Sequence, residues 1–155
     1  MVAILQKGLA IALTTGLTLL MGVESALAVD DTAVAVPVTI TLTDVMETNV
    51  PLYISVQTEA EYQSMKGRGA VLKETSAGTI TQTVQLPESG DYAVTIWHDL
   101  DNDGRFSMTD RYEVLDGWGT SGQARRDAAP TFQQSKINVP TYGASVTIAM
   151  IYPKH

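Results

Sequence analysis

The feature that most constrains the fold of this chain is a short alternation of apolar and polar residues that recurs along it. From Val36 onward, β-branched residues alternate with Pro37 and a series of threonines. A period of two places alternate side chains on opposite faces of a β-strand. A weaker segment of the same kind lies near Val71, and the clear ones are 36–43, 52–57, 80–86, 92–96, 137–139 and 146–152. The pattern predicts an all-β domain, a single antiparallel sandwich of roughly seven strands.

Two parts of the chain depart from this pattern. Thr58 and Glu61 have the spacing of a helix capping box, which leaves a short helix and a plain loop as alternatives. Between His98 and Gln134 the alternation disappears, yet the segment contains large aromatic residues. A stretch of this length is unusual in a compact domain, and its aromatic side chains favour order. We expect a long ordered loop excursion over one end of the sandwich, and we expect any functional site to lie there.

The N-terminus has the pattern of a cleavable signal peptide. Lys7 precedes an apolar run from Gly8 to Val23, and Ala26-Leu27-Ala28 matches the small-x-small cleavage pattern. The run is shorter than the roughly 20 residues that a membrane span needs. We therefore predict a signal peptide over residues 1–28, an exposed leader over 29–35 and a β-sandwich domain over 36–155. The alternative is an uncleaved N-terminal anchor; cleavage implies a periplasmic or extracellular bacterial protein with no membrane span.

Composition narrows the classes of partner and cofactor. The chain has 10 basic and 17 acidic residues, a net charge of −7. This charge is poorly suited to nucleic acid or to an anionic membrane surface. The chain has no cysteine, which excludes disulfides, thiol chemistry and zinc sites with Cys ligands. Its two histidines are too few to make a His-based zinc site plausible.

The most specific motif is an acidic loop, Asp-Leu-Asp-Asn-Asp-Gly-Arg-Phe-Ser-Met-Thr-Asp, from Asp99 to Asp110. Calcium takes six to eight oxygen ligands, and a 12-residue calcium loop supplies them from alternate positions around a glycine at position 6. Gly104 stands at that position, and Phe106 at position 8 is expected to point inward. The motif predicts calcium as the cofactor, with ligands from Asp99, Asp101, Asp103, Arg105 (through its backbone carbonyl), Ser107 and Asp110.

A solvated turn is the competing interpretation of the acidic loop, because Asp, Asn and Gly are ordinary turn residues. Three carboxylates within five residues, however, repel one another unless a cation neutralises them. The segment before the loop alternates like a strand, and Ser107 and Asp110 could cap a helix after it. We expect a strand–loop–helix calcium site with a structural role.

Four motifs follow one another along the chain in a specific order and with specific spacing. They are Gly90-Asp91-Tyr92, the segment from His98 to Arg105, Gly117-Trp118-Gly119-Thr120-Ser121, and Pro130-Thr131-Phe132. Together they resemble a bacterial secreted family of a domain of unknown function, which carries a His-Asp-x-Asn-x-Asn-Gly-Lys signature. The resemblance implies an exported transthyretin-like or immunoglobulin-like β-sandwich. Asp101 and Asp103 stand where that family tends to have Asn, which makes this loop more anionic.

An enzymatic role has little support in the sequence. Catalysis would draw on His98, the only internal histidine, and on Ser121 within Gly119-Thr120-Ser121-Gly122-Gln123. That segment departs from the Gly-x-Ser-x-Gly nucleophile motif because its last residue is Gln. We therefore do not expect an enzyme.

A binding module for a carbohydrate or a peptide is the main alternative to a structural role. Aromatic residues near the glycine-rich loop 117–122 could form a platform, or they could simply cover the end of the core. The candidate ligand-binding residues are His98, Tyr112, Trp118 and Ser121. We expect a structural or interaction module whose partner is a protein or a glycan.

Overall fold

The computed structural model describes residues 35–64, 66–110, 113–123 and 129–154. The signal-peptide prediction for residues 1–28, and the leader prediction up to residue 34, lie outside these ranges. Within them no helix is long and apolar enough to cross a membrane. The elements are β1 (Val36–Val45), β2 (Leu52–Gln57), α1 (Glu59–Gln63), β3 (Arg68–Leu72), β4 (Gly78–Leu86), β5 (Gly90–His98), β6 (Gly117–Thr120), α2 (Phe132–Ser135), β7 (Lys136–Val139) and β8 (Ala144–Ala149).

The strands form two sheets, which confirms the predicted all-β sandwich. One sheet has the order β4-β1-β8, and the other has the order β3-β2-β5-β6, with β7 also paired to β5. All pairings are antiparallel except that of β1 with β8, which is parallel. The chain leaves β7 in one sheet and enters β8 in the other through the turn at 140–143. A change of sheet, rather than a hairpin within one sheet, therefore precedes β8, and the sandwich is not purely antiparallel.

The core lies between the two sheets and is built from the apolar half of each alternation. In β1 the residues Val38, Ile40 and Leu42 are fully buried, and Leu52 and Ile54 of β2 are buried from the opposite sheet. Burying each such side chain stabilises the fold by roughly 1.5–3 kcal/mol before the cost of chain entropy. The intervening residues of β1 face outward, as the period of two predicts.

The described residues contain eight strands, one more than expected, because β6 lies inside the predicted loop excursion. Its inward positions are Gly117 and Gly119 rather than apolar residues. A Cβ atom on Gly119 would lie 2.8 Å from Cγ2 of Ile148, and one on Gly117 would lie 2.9 Å from Cβ of His98. Only glycine fits at this close approach between strands. The apolar alternation that marks the other strands is therefore missing from β6.

The helix alternative at Thr58 is confirmed. Thr58 caps α1: its hydroxyl oxygen accepts a hydrogen bond from the Glu61 N–H, and its own N–H donates to the Glu61 carboxylate at 2.9 Å. Hydrogen bonds from the Thr58 backbone and side chain hold the pKa of Glu61 below its usual value. The capping box thus fixes where the chain turns after β2.

Candidate metal centre

The acidic loop begins where β5 ends, so the sheet fixes its first carboxylate. His98 is the last residue of β5 and is paired with Leu52 of β2. The backbone N–H of the next residue, Asp99, donates to the carbonyl of Pro51 at 3.0 Å. The side chain of Asp99 is buried, with 1% of its surface exposed. A buried carboxylate requires hydrogen-bond donors or a cation around it.

Backbone N–H groups of the loop supply some of these donors. The Asp99 carboxylate accepts from the Asp103 N–H at 3.2 Å and from the Gly104 N–H at 3.0 Å. The Asp103 N–H also donates to Asp101 at 3.2 Å, and the Arg105 N–H donates to Asp103 at 2.8 Å. Gly104 has φ +75°, a left-handed conformation that glycine adopts without strain. The chain therefore curls around the Asp99 carboxylate.

This curl brings three carboxylates together. One oxygen each from Asp99, Asp101 and Asp103 lies within 4.8 Å of the other two, so the cluster could hold a metal ion. Loss of solvation raises the pKa of Asp101, and so do the nearby carboxylates of Asp103 and Asp116, whereas the Asp103 N–H lowers it. The raised pKa indicates that negative charge is costly at this position, and a bound cation would relieve that cost.

A further carboxylate, that of Asp116, supports the loop from the side of the excursion. Asp116 is 1% exposed, and its two oxygens accept three hydrogen bonds of 2.9 Å each. The donors are the indole N–H of Trp97 and the backbone N–H groups of Leu100 and Ser107. Sequence reasoning missed Asp116 because a 12-residue loop ends before it. The available signal was an acidic residue directly before the glycine-rich segment at 117–122.

The structure does not gather all the predicted ligands around the three carboxylates. Asp110 is exposed and does not belong to the cluster, and Ser107 uses its backbone N–H to hold Asp116. The expected helix after the loop is instead a hairpin, in which Met108 forms a bridge with Val114. Phe106 does not point inward: it is 39% exposed, because the hairpin carries the chain away from the core at this point.

Comparison with known proteins identifies the family of the chain. A family model described as an uncharacterized protein conserved in bacteria (DUF2141) matches residues 40–147. The chain belongs to the DUF2141 family. The match runs from within β1 to within β8, so it includes the acidic loop. No curated protein matches the chain, and no solved structure matches it.

In this DUF2141 chain His98 belongs to a buried hydrogen-bond network rather than to the carboxylate cluster. Its Nε2 lies 2.7 Å from the Thr48 hydroxyl, and its Nδ1 lies 2.9 Å from the Tyr152 hydroxyl. The Thr75 hydroxyl donates to the carbonyl of Met46 at 2.7 Å, and the Met46 N–H donates to the Tyr152 oxygen at 3.0 Å. The network joins the end of β5 to the segments that follow β1 and β8.

Both ring nitrogens of His98 have a hydroxyl group as their hydrogen-bond partner. The Thr48 hydroxyl faces Nε2 and the Tyr152 hydroxyl faces Nδ1, and a hydroxyl group can donate or accept, so either tautomer of the ring can be satisfied. Burial lowers the pKa of His98, against the opposing effect of the Asp116 and Asp99 carboxylates. The neutral ring therefore has both nitrogens satisfied.

The remaining candidate ligand-binding residues lie in different surroundings. Ser121 is buried; its hydroxyl accepts from the Val94 N–H at 2.8 Å and donates to the carbonyl of Ser135. Trp118 is partly buried and is paired with Trp97 across β5 and β6. Tyr112 lies outside the described residues. Ser121 thus ties the end of β6 to β5 and α2.

The rings nearest to the predicted platform stack on each other. The ring of Trp97 lies on that of Tyr53, with centroids 4.6 Å apart and an angle of 15° between their planes. Each ring therefore uses one face against the other, and the Trp97 indole N–H is held by Asp116. Stacked rings of this kind stabilise the sheet surface by about 0.5–1.5 kcal/mol beyond the area they bury.

Proposed function

We propose that this chain is an exported structural or interaction module whose acidic loop binds a calcium ion. The observation that carries the proposal is the convergence of the Asp99, Asp101 and Asp103 carboxylates, with one oxygen of each within 4.8 Å of the others. Export is inferred from the signal-peptide pattern of residues 1–28. The acidic net charge of −7 is compatible with a protein that works outside the cytoplasm.

The chemistry of the cluster favours a hard divalent cation. Carboxylate oxygens are the preferred ligands of calcium and magnesium, and no softer donor takes part in the cluster. Loss of solvation and, to a lesser extent, the neighbouring carboxylates raise the pKa of Asp101, and a bound cation would stabilise its charged form. A divalent ion would also hold Asp101 and Asp103, which are exposed, against the buried Asp99.

Calcium is favoured over magnesium because the ligand set is irregular. Magnesium requires nearly octahedral geometry at short distances, whereas calcium accepts six to eight oxygens in flexible arrangements that include carbonyls and water. The loop offers three carboxylates on a curved backbone with left-handed residues at Asn102 (φ +56°) and Gly104. Such a loop adapts more readily to calcium, and its anchoring to β5 and Asp116 suits a structural ion.

Thermal unfolding with and without calcium tests this proposal. The purified protein is unfolded in millimolar calcium, in magnesium at the same concentration, and in EDTA. An ion present at 100 times its dissociation constant stabilises the folded state by about 2.7 kcal/mol. We therefore expect calcium to raise the midpoint by several degrees, and magnesium to raise it less.

The matched variants are Asp101→Asn with Asp103→Asn, and Asp110→Asn. The double variant removes charge from the cluster and should lose the calcium response. The Asp110 variant removes charge from the same segment outside the cluster and should keep it. A midpoint that calcium leaves unchanged in the unmodified protein would refute the ion site and leave the loop as a solvated turn.

A further inference from the structure

The outer face of the three-stranded sheet is covered with hydroxyl groups in register. Thr39 of β1 is paired with Thr83 of β4 on one side and with Ser145 of β8 on the other. Thr41 forms the same kind of row with its two neighbours, Thr81 and Thr147. We call this surface the hydroxyl face; its members are Thr39, Thr41, Thr43, Thr81, Thr83, Ser145 and Thr147.

The hydroxyl face has one charged residue, Asp44, which lies at its end and accepts a hydrogen bond from the Thr43 hydroxyl at 3.1 Å. Its remaining outward positions are Pro37, Thr79, Gln85 and Ala149. Exposed positions on the other sheet include Arg68, Asp91 and Lys136. A high β-propensity explains why threonine is frequent on a strand. It does not explain why this face of an acidic protein has a single charged residue, whereas charged residues make up about a quarter of typical surfaces.

A pocket with an exposed aromatic ring continues this face at the start of β1. The pocket has a volume of about 420 Å³, and its lining is Pro37, Thr39, Tyr142, Gly143, Ala144 and Ser145. Tyr142 lies in the turn before β8 and is 85% exposed. An aromatic side chain so poorly packed contributes little to stability, whereas its ring can cover the apolar face of a ligand.

We propose that the hydroxyl face and the Tyr142 pocket bind an uncharged polysaccharide. Threonine and serine hydroxyls both donate and accept hydrogen bonds, as sugar hydroxyls do. Threonine methyl groups and the Tyr142 ring suit the C–H groups of sugar rings. Hydroxyl groups repeat about every 4.8 Å across the strands and about every 7 Å along them, a periodic array that matches a polymer of repeating units.

The charge distribution selects this partner over others. Apart from Asp44 at its end, the hydroxyl face is uncharged, which makes it complementary to an uncharged ligand. The net charge of −7 would repel an anionic polysaccharide. A basic protein would be attracted to the carboxylates of the acidic loop rather than to the hydroxyl face. That loop lies at the other end of β1, because Thr48, which follows β1, contacts His98 at the entrance to the loop. The proposed surface is therefore separate from the calcium site.

A sedimentation assay tests the proposal. The purified protein is mixed with insoluble cellulose, chitin or starch and, for comparison, with an anionic polysaccharide gel, and the bound fraction is measured in calcium and again in EDTA. We expect retention on at least one of the uncharged polymers under both conditions. Tyr142→Ala and Thr147→Lys should each weaken binding about tenfold, which corresponds to 1.4 kcal/mol.

Two control variants make the same chemical changes elsewhere. Phe106→Ala removes an exposed aromatic ring from the loop end, and Ser64→Lys adds a charge at an exposed position after α1, beside the other sheet; both should bind like the unmodified protein. Asp101→Asn with Asp103→Asn should also bind normally, so failure of the calcium proposal would leave this one intact. Absence of retention on every uncharged polymer, stronger retention on the anionic gel, or undiminished binding by both test variants would overturn it.

Discussion

At the scale of single residues, Asp116 stabilises the acidic loop without belonging to the cluster of three carboxylates. It is buried, and it accepts hydrogen bonds from Trp97, Leu100 and Ser107. The first donor lies on β5, and the other two lie in the loop. One side chain therefore holds the indole ring and both ends of the acidic loop in fixed positions.

Asp116→Ala should destabilise the protein far more than Asp110→Ala. The first substitution leaves three partly buried N–H donors without an acceptor, and an unsatisfied buried group costs about 1–3 kcal/mol. We expect a loss of roughly 3 kcal/mol, whereas Asp110 is exposed and its loss should change stability by about 0.5 kcal/mol or less. Urea unfolding in EDTA, which keeps ion binding out of the comparison, measures both. Equal losses would contradict the role assigned to Asp116.

The sequence predicts the residues of the cluster but not those that support it. Asp99, Asp101 and Asp103 are recognisable because carboxylates at alternate positions before a glycine are the ligand pattern of a calcium-binding loop. Asp116 lies six residues beyond the end of that pattern and is brought to the loop only by pairing of β6 with β5. Contacts that depend on strand pairing leave no local trace in the sequence.

At the scale of elements, the glycines of β6 allow the strand to lie close to the C-terminal segment. Trp118 exchanges backbone hydrogen bonds of 2.9 and 2.8 Å with Ile151. Gly117 and Gly119 face inward beside this bridge. A side chain at either position would push the two segments apart, so the close pairing depends on the absence of a Cβ atom.

Gly117→Ala should therefore destabilise the protein, while Gly90→Ala should not. A Cβ atom on Gly117 would collide with the ring of Tyr152 and approach Cβ of His98 to 2.9 Å. Overpacking of this kind costs about 1–3 kcal/mol. At Gly90 the new atom would lie 3.6 Å from its nearest neighbour, the Tyr92 ring, and alanine should be neutral or stabilise by about 0.4–1 kcal/mol through the unfolded state. Thermal unfolding should show a lower midpoint for Gly117→Ala and an unchanged or higher midpoint for Gly90→Ala.

The predictable elements are those with a local signal in the sequence, either an apolar alternation or a capping box. The strand near Val71 appears where the alternation indicates it, and the helix at Thr58 appears where the capping box indicates it. In β6 the inward positions are glycines, and the hairpin around Met108 and Val114 follows an acidic loop that gives no alternation of its own. These elements form through pairing with neighbouring segments rather than through an alternation of their own. The sequence therefore predicts a loop for the segment from His98 to Gln134.

At the scale of the whole molecule, the network around His98 joins the two sheets at the end that carries the acidic loop. Thr48 follows β1, Thr75 precedes β4, His98 ends β5, and Tyr152 follows β8. Each contributes a hydrogen bond. Thr75 and His98 are buried, and Thr48 and Tyr152 are partly buried. Because these segments are distant in sequence, only the assembled sandwich can form the network, and its loss should lower the stability of the fold as a unit.

Tyr152→Phe tests this network, and its effect on the free energy of unfolding should depend on pH. At neutral pH the variant leaves the Met46 N–H and His98 Nδ1 without their partner, and we expect a loss of about 1–3 kcal/mol. Burial raises the pKa of Tyr152 above 10.0, its usual value. Between these two pKa values the folded state holds a proton that the unfolded chain has released, so the stability of the unmodified protein falls as the pH rises above 10.0.

The difference in free energy of unfolding between the unmodified protein and Tyr152→Phe should therefore narrow as the pH rises above 10.0. Tyr92, whose pKa burial also raises, is present in both proteins and does not contribute to that difference. Tyr142→Phe is the control. Tyr142 is 85% exposed, so this variant should have the same free energy of unfolding as the unmodified protein both at neutral pH and above pH 10.0. Urea unfolding from neutral pH to above pH 10.0 measures the free energy of unfolding of all three proteins. A gap that stays constant with pH would mean that the Tyr152 hydroxyl is not held in this network, and the two sheets would then be joined at this end without it, through contacts such as that between His98 and Thr48.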